Sequence, residues 1–285
     1  MQCMPTAPAT ATRATTRATT RATRRVVDAT ELAEALVAPG STLLAIWAHP
    51  DDETFLAGGL LGAAAHTGAR VVNITATLGE RGTDDPTRMT PELLGCIRQA
   101  ELDRALDLLG IEPARHLGFA DGTLEYLPDG FGVSRIRRLI DALQPSTIVT
   151  FGHDGVTGHA DHRTIARWVE LATDHLADSI ALVTTESAGA WSDDLVDHLR
   201  SANAFYPGYP DRSRSDDGCD VVVAGRCLAR KLAAIDAHAS QFGPLRRLAR
   251  ETGLRRLAAT EAYRPANREA RRRLRTNTGS PSLVA

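Results

Sequence analysis

Residues 48–53 read Ala-His-Pro-Asp-Asp-Glu, directly after the apolar run Leu43-Leu44-Ala45-Ile46-Trp47. That order puts His49, Asp51 and Asp52, one imidazole and two carboxylates, where a strand ends. In an open α/β sheet ligands bind at such ends. Three such groups crowded together call for a cation to neutralise them, which marks a candidate metal or catalytic site. A second cluster follows the β-branched run Ile148-Val149-Thr150-Phe151 and spans Gly152 to His162. It holds three of the nine histidines, His153, His159 and His162, within ten residues. His159 and His162 are three apart at a helix start, so both can point to one side, and His49 and Asp52 share that spacing. Two histidines and one carboxylate leave coordination positions open, the ligand set of a catalytic zinc or a non-haem iron. A closed structural site would want four protein ligands, and the cysteines for one are missing.

The elements that must position these groups alternate. A short helical stretch near Ala29–Val37 precedes a first strand at Thr42–Trp47. A helix at Thr54–His66 follows, closed by Gly68, and then a second strand at Arg70–Thr77. The polar loop from Leu78 to Pro86 is too long and charged for a simple connection. Pro91–Leu109 reads as a helix ending at Gly110, with Leu94, Ile97, Leu102, Leu106 and Leu109 near the 3.6 period. Further on come a short strand at Arg115–Gly118, a loop at Gly122–Gly130, a helix at Val133–Leu143, a strand at Ser146–Phe151 and a helix at His159–His175. Ala181–Thr185 and Asp220–Ala224 read as later strands, and Arg226–Ala239 as a helix. This alternation predicts an α/β fold: a Rossmann-like, mostly parallel sheet with helices on both faces and a smaller C-terminal α+β extension.

The chain is 285 residues with a formal net charge of −2, which hides strong segregation. Residues 1–25 carry five arginines and no acid, and residues 243–285 carry eleven arginines against three glutamates. Subtracting those from the total leaves 26–242 near −15. The expected organisation is a low-complexity disordered tail at 1–25, an α/β domain at 26–242, and an arginine-rich helical extension and tail at 243–285. In the last, Leu245, Leu248, Leu254 and Leu257 form an apolar stripe, with Arg246, Arg247, Arg250, Arg255 and Arg256 on a solvated face. No aromatic interleaving supports nucleic-acid binding there. No run of about 18 apolar residues predicts a membrane span. Four scattered cysteines suit a reducing cytosol, so a cytoplasmic location is expected.

The motifs at 48–53 and 158–163 (Gly-His-Ala-Asp-His-Arg) together resemble the PIG-L/LmbE deacetylases, zinc-dependent hydrolases of N-acetylglucosamine-type amides. The resemblance runs from about residue 41 to 241. Weaker matches lie at 77–82 (Thr-Leu-Gly-Glu-Arg-Gly), 98–102 (Arg-Gln-Ala-Glu-Leu), 117–122 (Leu-Gly-Phe-Ala-Asp-Gly) and 238–241 (His-Ala-Ser-Gln). Ala160 stands where the family often has proline. The resemblance implies that His49, Asp52 and His162 bind one Zn2+ per chain, with another divalent ion such as Fe2+ as the alternative. It implies Asp51 as general base, and His159, if protonated, as stabiliser of the transition state. Arg98 and Asp121 match positions that contact substrate in sugar-cleaving relatives. The implied partner is a small N-acyl amino sugar or conjugate, and some relatives are homo-oligomers. A thiol-conjugate amidase of the same family, or a metal- or sugar-binding protein without catalysis, are the competing readings.

Other polar residues carry plainer expectations. Asp161 orients His162 or an arginine, or simply starts a helix. Glu53 favours the N-terminus of the helix that follows it. Glu80 and Arg81 sit in a loop that closes over substrate or is merely solvated. His66, His175 and His198 are surface or packing residues, His116 is half-buried, and Trp47 is core. His153 and His238 are candidates for the pocket's edge, His238 also for joining domains. The pocket itself is expected from loops 78–90, 122–132 and 186–218.

Overall fold

The computed structural model describes residues 24–83, 85–187, 191, 193–201, 204–211, 216–242 and 250–276. The tail at 1–23, Leu245, Leu248 and the side chain of His198 lie outside the described residues. The strands are β1 (Arg25–Asp28), β2 (Thr42–Trp47), β3 (Arg70–Thr75), β4 (Arg115–His116), β5 (Thr147–Phe151), β6 (Ala181–Thr185), β7 (Cys219–Val222) and β8 (Thr260–Pro265). They form one sheet in the order β1-β7-β8-β6-β5-β2-β3-β4. Pairing is parallel except where β8 runs antiparallel to both β6 and β7. The inner strands β5 and β6 are buried at every residue, as expected for strands covered on both faces.

The helices are α1 (Ala29–Leu36), α2 (Asp52–His66), α3 (Pro91–Leu109), α4 (Asp129–Leu143), α5 (Ala160–Thr173), α6 (Asp193–Ser201), α7 (Gly225–Ala237), α8 (Arg250–Ala258) and α9 (Arg268–Thr276). The chain steps from β2 to β3 in one direction and from β5 to β6 in the other. Right-handed crossovers therefore put α2 and α5 on opposite faces. α2, α3 and α7 pack together, and α4 packs on α5. α3 keeps its expected bounds because both ends are signalled. The Thr90 hydroxyl caps the start, Pro91 occupies the first turn, and Gly110 closes the end at φ 79°.

Several elements differ from expectation for local reasons. α2 starts two residues early, so Asp52 and Glu53 lie inside its first turn. α4 begins at Asp129, and α5 stops at Thr173 before a 3-10 turn at 174–176. The largest difference concerns residues 243–285, expected as an extension. β8 fills the gap between β6 and β7, and α9 packs on β6 and α1. The C-terminal stretch is thus part of the main sheet, because β7 reaches β6 only through it. Its sequence, Thr-Glu-Ala-Tyr-Arg-Pro, has charged and prolyl positions that mask the strand pattern.

Candidate active site

β2 and β5 are neighbours, yet the chain leaves β2 toward β3 and returns on β5 from the other side. The crevice beyond their carboxyl ends is the topological switch point of the sheet. His49, Asp51 and Asp52 leave β2 there, and His159 and His162 follow β5. The five residues meet in one cavity of about 420 Å3, which Arg98 and Asp121 also line.

His49 and His162 face each other in defined tautomers. Nδ1 of His162 lies 3.0 Å from the Gly155 carbonyl oxygen, so it carries the proton and Nε2 keeps its lone pair. His49 points Nε2 at the Asp121 carboxylate, 3.0 Å away, and at Asp161, 3.4 Å away. Its Nδ1 is then 3.2 Å from Nε2 of His162. Asp52 closes the triangle, with Oδ1 3.2 Å from His162 Nε2 and Oδ2 3.6 Å from His49 Nδ1. Donors about 2.1 Å from a tetrahedral zinc sit roughly 3.4 Å from one another. The two nitrogens and the Asp52 carboxylate fit that spacing, and two imidazole nitrogens beside a carboxylate need a positive charge between them. Burial alone would lower the pKa of His49. The bonds to Asp121 and Asp161 and the charge of Asp52 outweigh it and push the pKa up to about 10, so a proton fills the gap. Burial and the His49 charge together push His162 down to about 3. Two other groupings, His49-His159-His162 and His49-Asp121-Asp161, also fall within 4.8 Å. Their members are engaged elsewhere: His159 Nδ1 accepts from the Asp161 N–H, and Asp121 and Asp161 accept from backbone N–H groups.

Asp51 is held in an unusual conformation. Its φ is 101°, a left-handed value that costs a non-glycine residue about 1–3 kcal/mol. Its N–H donates to Glu53 Oε2 at 3.1 Å. The Arg98 guanidinium spans the bend, donating to the Pro50 carbonyl oxygen and to Asp51 Oδ2 at 3.1 Å. A third donor of Arg98 reaches the Gly79 carbonyl oxygen at 2.8 Å. Gly79 must be glycine, since a Cβ there would lie 2.4 Å from Arg98 Cζ and its φ is +64°. Burial raises the Asp51 pKa to about 6, against the lowering charge of Arg98. Arg98 is therefore buried and bonded to protein oxygens, in contrast to the open fork expected for a sugar or phosphate.

Glu53 and Asp161 depart furthest from expectation. Glu53 lies in the first turn of α2, but it is fully buried and accepts from Thr54 Oγ1 at 2.5 Å and from His238 Nε2 at 3.1 Å. His238, which caps the C-terminus of α7, is likewise fully buried and joins α7 to the bend at Asp51 without lining the cavity. Asp161 bonds the N–H groups of Gly122 and Leu124 at 2.8 and 3.1 Å and reaches His49, so it serves His49 and the 121–124 loop in place of His162. Asp121 accepts from the Arg81 N–H, and Glu80 accepts from the Asp121 N–H, which ties the 78–82 loop to the same rim. His153 is exposed and accepts from Arg264, away from the cavity. The 122–132 loop does not line the cavity. Phe55 and Leu56 of α2 and Leu257 of α8 do, residues that sequence reasoning missed because their apolar spacing reads as core, and so does Gln241, from the segment matched at 238–241. His66 and His175 are exposed, His116 is half-buried, and Trp47 is fully buried, as expected.

Comparison with known proteins sets this geometry in a family. The GlcNAc-PI de-N-acetylase (PIG-L) family pattern matches residues 44–173, which covers both motifs and the carboxyl ends of β2 and β5. The 1D-myo-inositol 2-acetamido-2-deoxy-alpha-D-glucopyranoside deacetylase of Mycolicibacterium gilvum is 31% identical over 238 residues, 70% of this chain and 80% of that protein. The chain belongs to the PIG-L family. A Bacillus anthracis protein named "Probable N-acetyl-alpha-D-glucosaminyl L-malate deacetylase 2" is 27% identical over 202 residues, 70% of this chain and 81% of its own. Among solved structures, N,N'-diacetylchitobiose deacetylase from Pyrococcus horikoshii superposes with a TM-score of 0.59 at 17% identity, covering 80% of this chain and 84% of that one. At that identity the likeness concerns the fold. As a PIG-L protein the chain is a hydrolase of amide bonds. Among its described residues no helix is long and apolar enough to cross a membrane.

Proposed function

We propose that this PIG-L protein is a zinc-dependent N-deacetylase that hydrolyses the amide of an N-acetylglucosamine-type sugar conjugate. The observation that carries this reading is the triangle of His49 Nδ1, His162 Nε2 and the Asp52 carboxylate, at zinc-ligand spacing, beside an Asp51 carboxylate held in place by Arg98. A divalent ion bound by these three residues supplies Lewis-acid polarisation of the amide oxygen and acidifies a water. Asp51 sits beside the ligands without being one. It takes a proton from the attacking water and returns it to the departing amine nitrogen. A pKa near 6 suits a group that must do both at neutral pH.

His159 faces the cavity from the other side. Burial and the charge of His49 push its pKa down to about 4, so it is neutral near pH 7. Nδ1 accepts a backbone bond, which leaves the proton on Nε2. That N–H donates to the oxyanion as the carbonyl carbon becomes tetrahedral. A neutral donor replaces the protonated one suggested by sequence. Arg98 and Asp121 act as positioning residues, Arg98 for Asp51 and Asp121 for His49. Unpaired cysteines at 96, 219 and 227 support a cytoplasmic location.

The test is amine release from N-acetylglucosamine conjugates by the purified protein, with metal analysis. We expect about one zinc per chain, loss of turnover with chelator and recovery with added zinc. Turnover that chelator leaves intact contradicts the proposal.

A further inference from the structure

The cavity has two unlike halves. One is the charged end around His49, Asp51 and Asp52. The other is walled by Phe55, Leu56, Trp191, Leu199, Phe205 and Leu257. Phe55 and Leu56 follow the ligand Asp52 by three and four residues on α2, so they share its face and continue the cavity directly from the reacting centre. Trp191, Leu199 and Leu257 belong to a second apolar cluster, separate from the main core, against which Phe55, Leu56 and Phe205 pack. The rings of Trp191 and Phe205 lie 6.2 Å apart between centroids. Four of these six residues, Trp191, Leu199, Phe205 and Leu257, fall outside the stretch 44–173 that matches the family.

Polar partners are sparse on that side. Beyond the charged end the described lining offers the hydroxyls of Thr157 and Tyr206, the indole N–H of Trp191 and the amide of Gln241. Nε2 of Gln241 is already bonded to the Gly82 carbonyl oxygen at 3.0 Å. Arg98, the one Lys or Arg among the described lining residues, donates to three protein oxygens. A polyol or a dicarboxylate lying there would give up water and recover few bonds. An apolar group would gain by burial.

We infer that the substrate carries an apolar substituent, such as an alkyl chain, which lies against the Trp191–Phe205 wall while the amide sits at the charged end. This rests on the amide hydrolysis proposed above. The substituent is borne either on the acyl group or on the amine-side sugar. The test uses the full-length zinc-loaded protein and two series of glucosamine amides below their aggregation concentrations. In one the N-acyl chain grows from acetyl to octanoyl. In the other the acetamide is kept and the alkyl glycoside grows from methyl to octyl. One series gains in kcat/KM by up to about fourfold per added methylene, and which series does so identifies the bearer. In Phe205→Ala the ratio of the longest to the shortest substrate in that series falls about fivefold or more. The ratio is internal, so loss of folded protein lowers both rates alike; Trp191→Ala gives a second reading. Flat or falling trends in both series, with acetyl substrates still cleaved, overturn this inference alone. Release of no amine from any substrate overturns the deacetylase reading and the inference with it.

Discussion

Helix α2 carries two clusters of buried charge, about two turns apart, and they are built on opposite plans. At its N-terminus lie Asp51, Asp52 and Glu53, three neighbouring acids. In its middle, at Gly58–Leu60, a second cluster enters from the C-terminal part of the chain. There Glu261 of β8 is fully buried and surrounded by donors: Lys231 Nζ at 2.6 Å, the Gly59 and Leu60 N–H groups at 2.6 and 3.1 Å, and the Tyr263 hydroxyl at 2.8 Å. The close approach depends on small residues. A Cβ on Gly58 would meet Lys231 Cγ at 3.2 Å, and one on Gly59 would meet Val223 at 2.5 Å. In this cluster every lone pair of the carboxylate has a partner and nothing is left to bind a ligand. At the N-terminus the donors stop short. Asp51 and Asp52 are both pushed up to about 6 by burial, and two imidazole nitrogens face a common point. A buried charge set that is fully paired holds a structure together. One that is underpaired, at a strand end, holds a ligand.

Breaking the underpaired cluster should cost function, and breaking the paired one should cost stability. The largest effect is expected for Asp51→Asn: kcat falls about 10^2- to 10^4-fold with metal content unchanged. In metal-free protein the same substitution raises stability at pH 7. The Asp51 pKa is raised on folding, so ionising it disfavours the folded state once pH exceeds the unfolded value of about 3.9. The gain should be complete above about pH 6 and absent below about pH 4, as read from urea unfolding. A variant as active as the parent would dissolve the contrast.

Lys231→Met comes next. It strands the Glu261 carboxylate in the core and should destabilise by about 3–5 kcal/mol in urea unfolding. The remaining folded enzyme should keep its metal affinity. A change below about 1 kcal/mol would mean that Glu261 finds other compensation.

His49→Ala should remove both the bound zinc and its stabilisation. In the parent, free zinc at 100 times its Kd adds about 2.7 kcal/mol, and chelator lowers Tm accordingly. In the variant the Tm should ignore chelator. The smallest effect is a displacement. Arg98 lowers the Asp51 pKa, so Arg98→Met should move the acidic limb of the kcat/KM profile to higher pH. An unmoved limb would leave Arg98 with the bend at Pro50–Asp51 alone.

The legible part of the site was local. His49 with Asp52, and His159 with His162, lie within three residues of each other, and adjacent polar groups after an apolar run announce themselves. The bounds of α3 were legible because caps act over three or four residues. The supporting partners were not. Glu53 meets His238 across 185 residues, and Asp161 meets His49 across 112. For the paired cluster a signal did exist, although it points to no partner: two adjacent glycines inside α2 and the chain's one lysine, at 231. β1 and β8 were missed because charged residues interrupt them, and only pairing makes them strands, β1 with β7 and β8 with both β6 and β7.

Sequence by itself determined which atoms can do chemistry, the alternation that builds a parallel sheet, and the family. Those follow from residue type and short-range period, which the chain carries without reference to its fold. Tertiary structure decided which nitrogen of each histidine is free, that Arg98 steadies Asp51, that the C-terminal stretch completes the sheet, and that half of the cavity is apolar. Each of these is a contact between residues distant in sequence, where packing and hydrogen-bond geometry choose among partners that composition leaves equal.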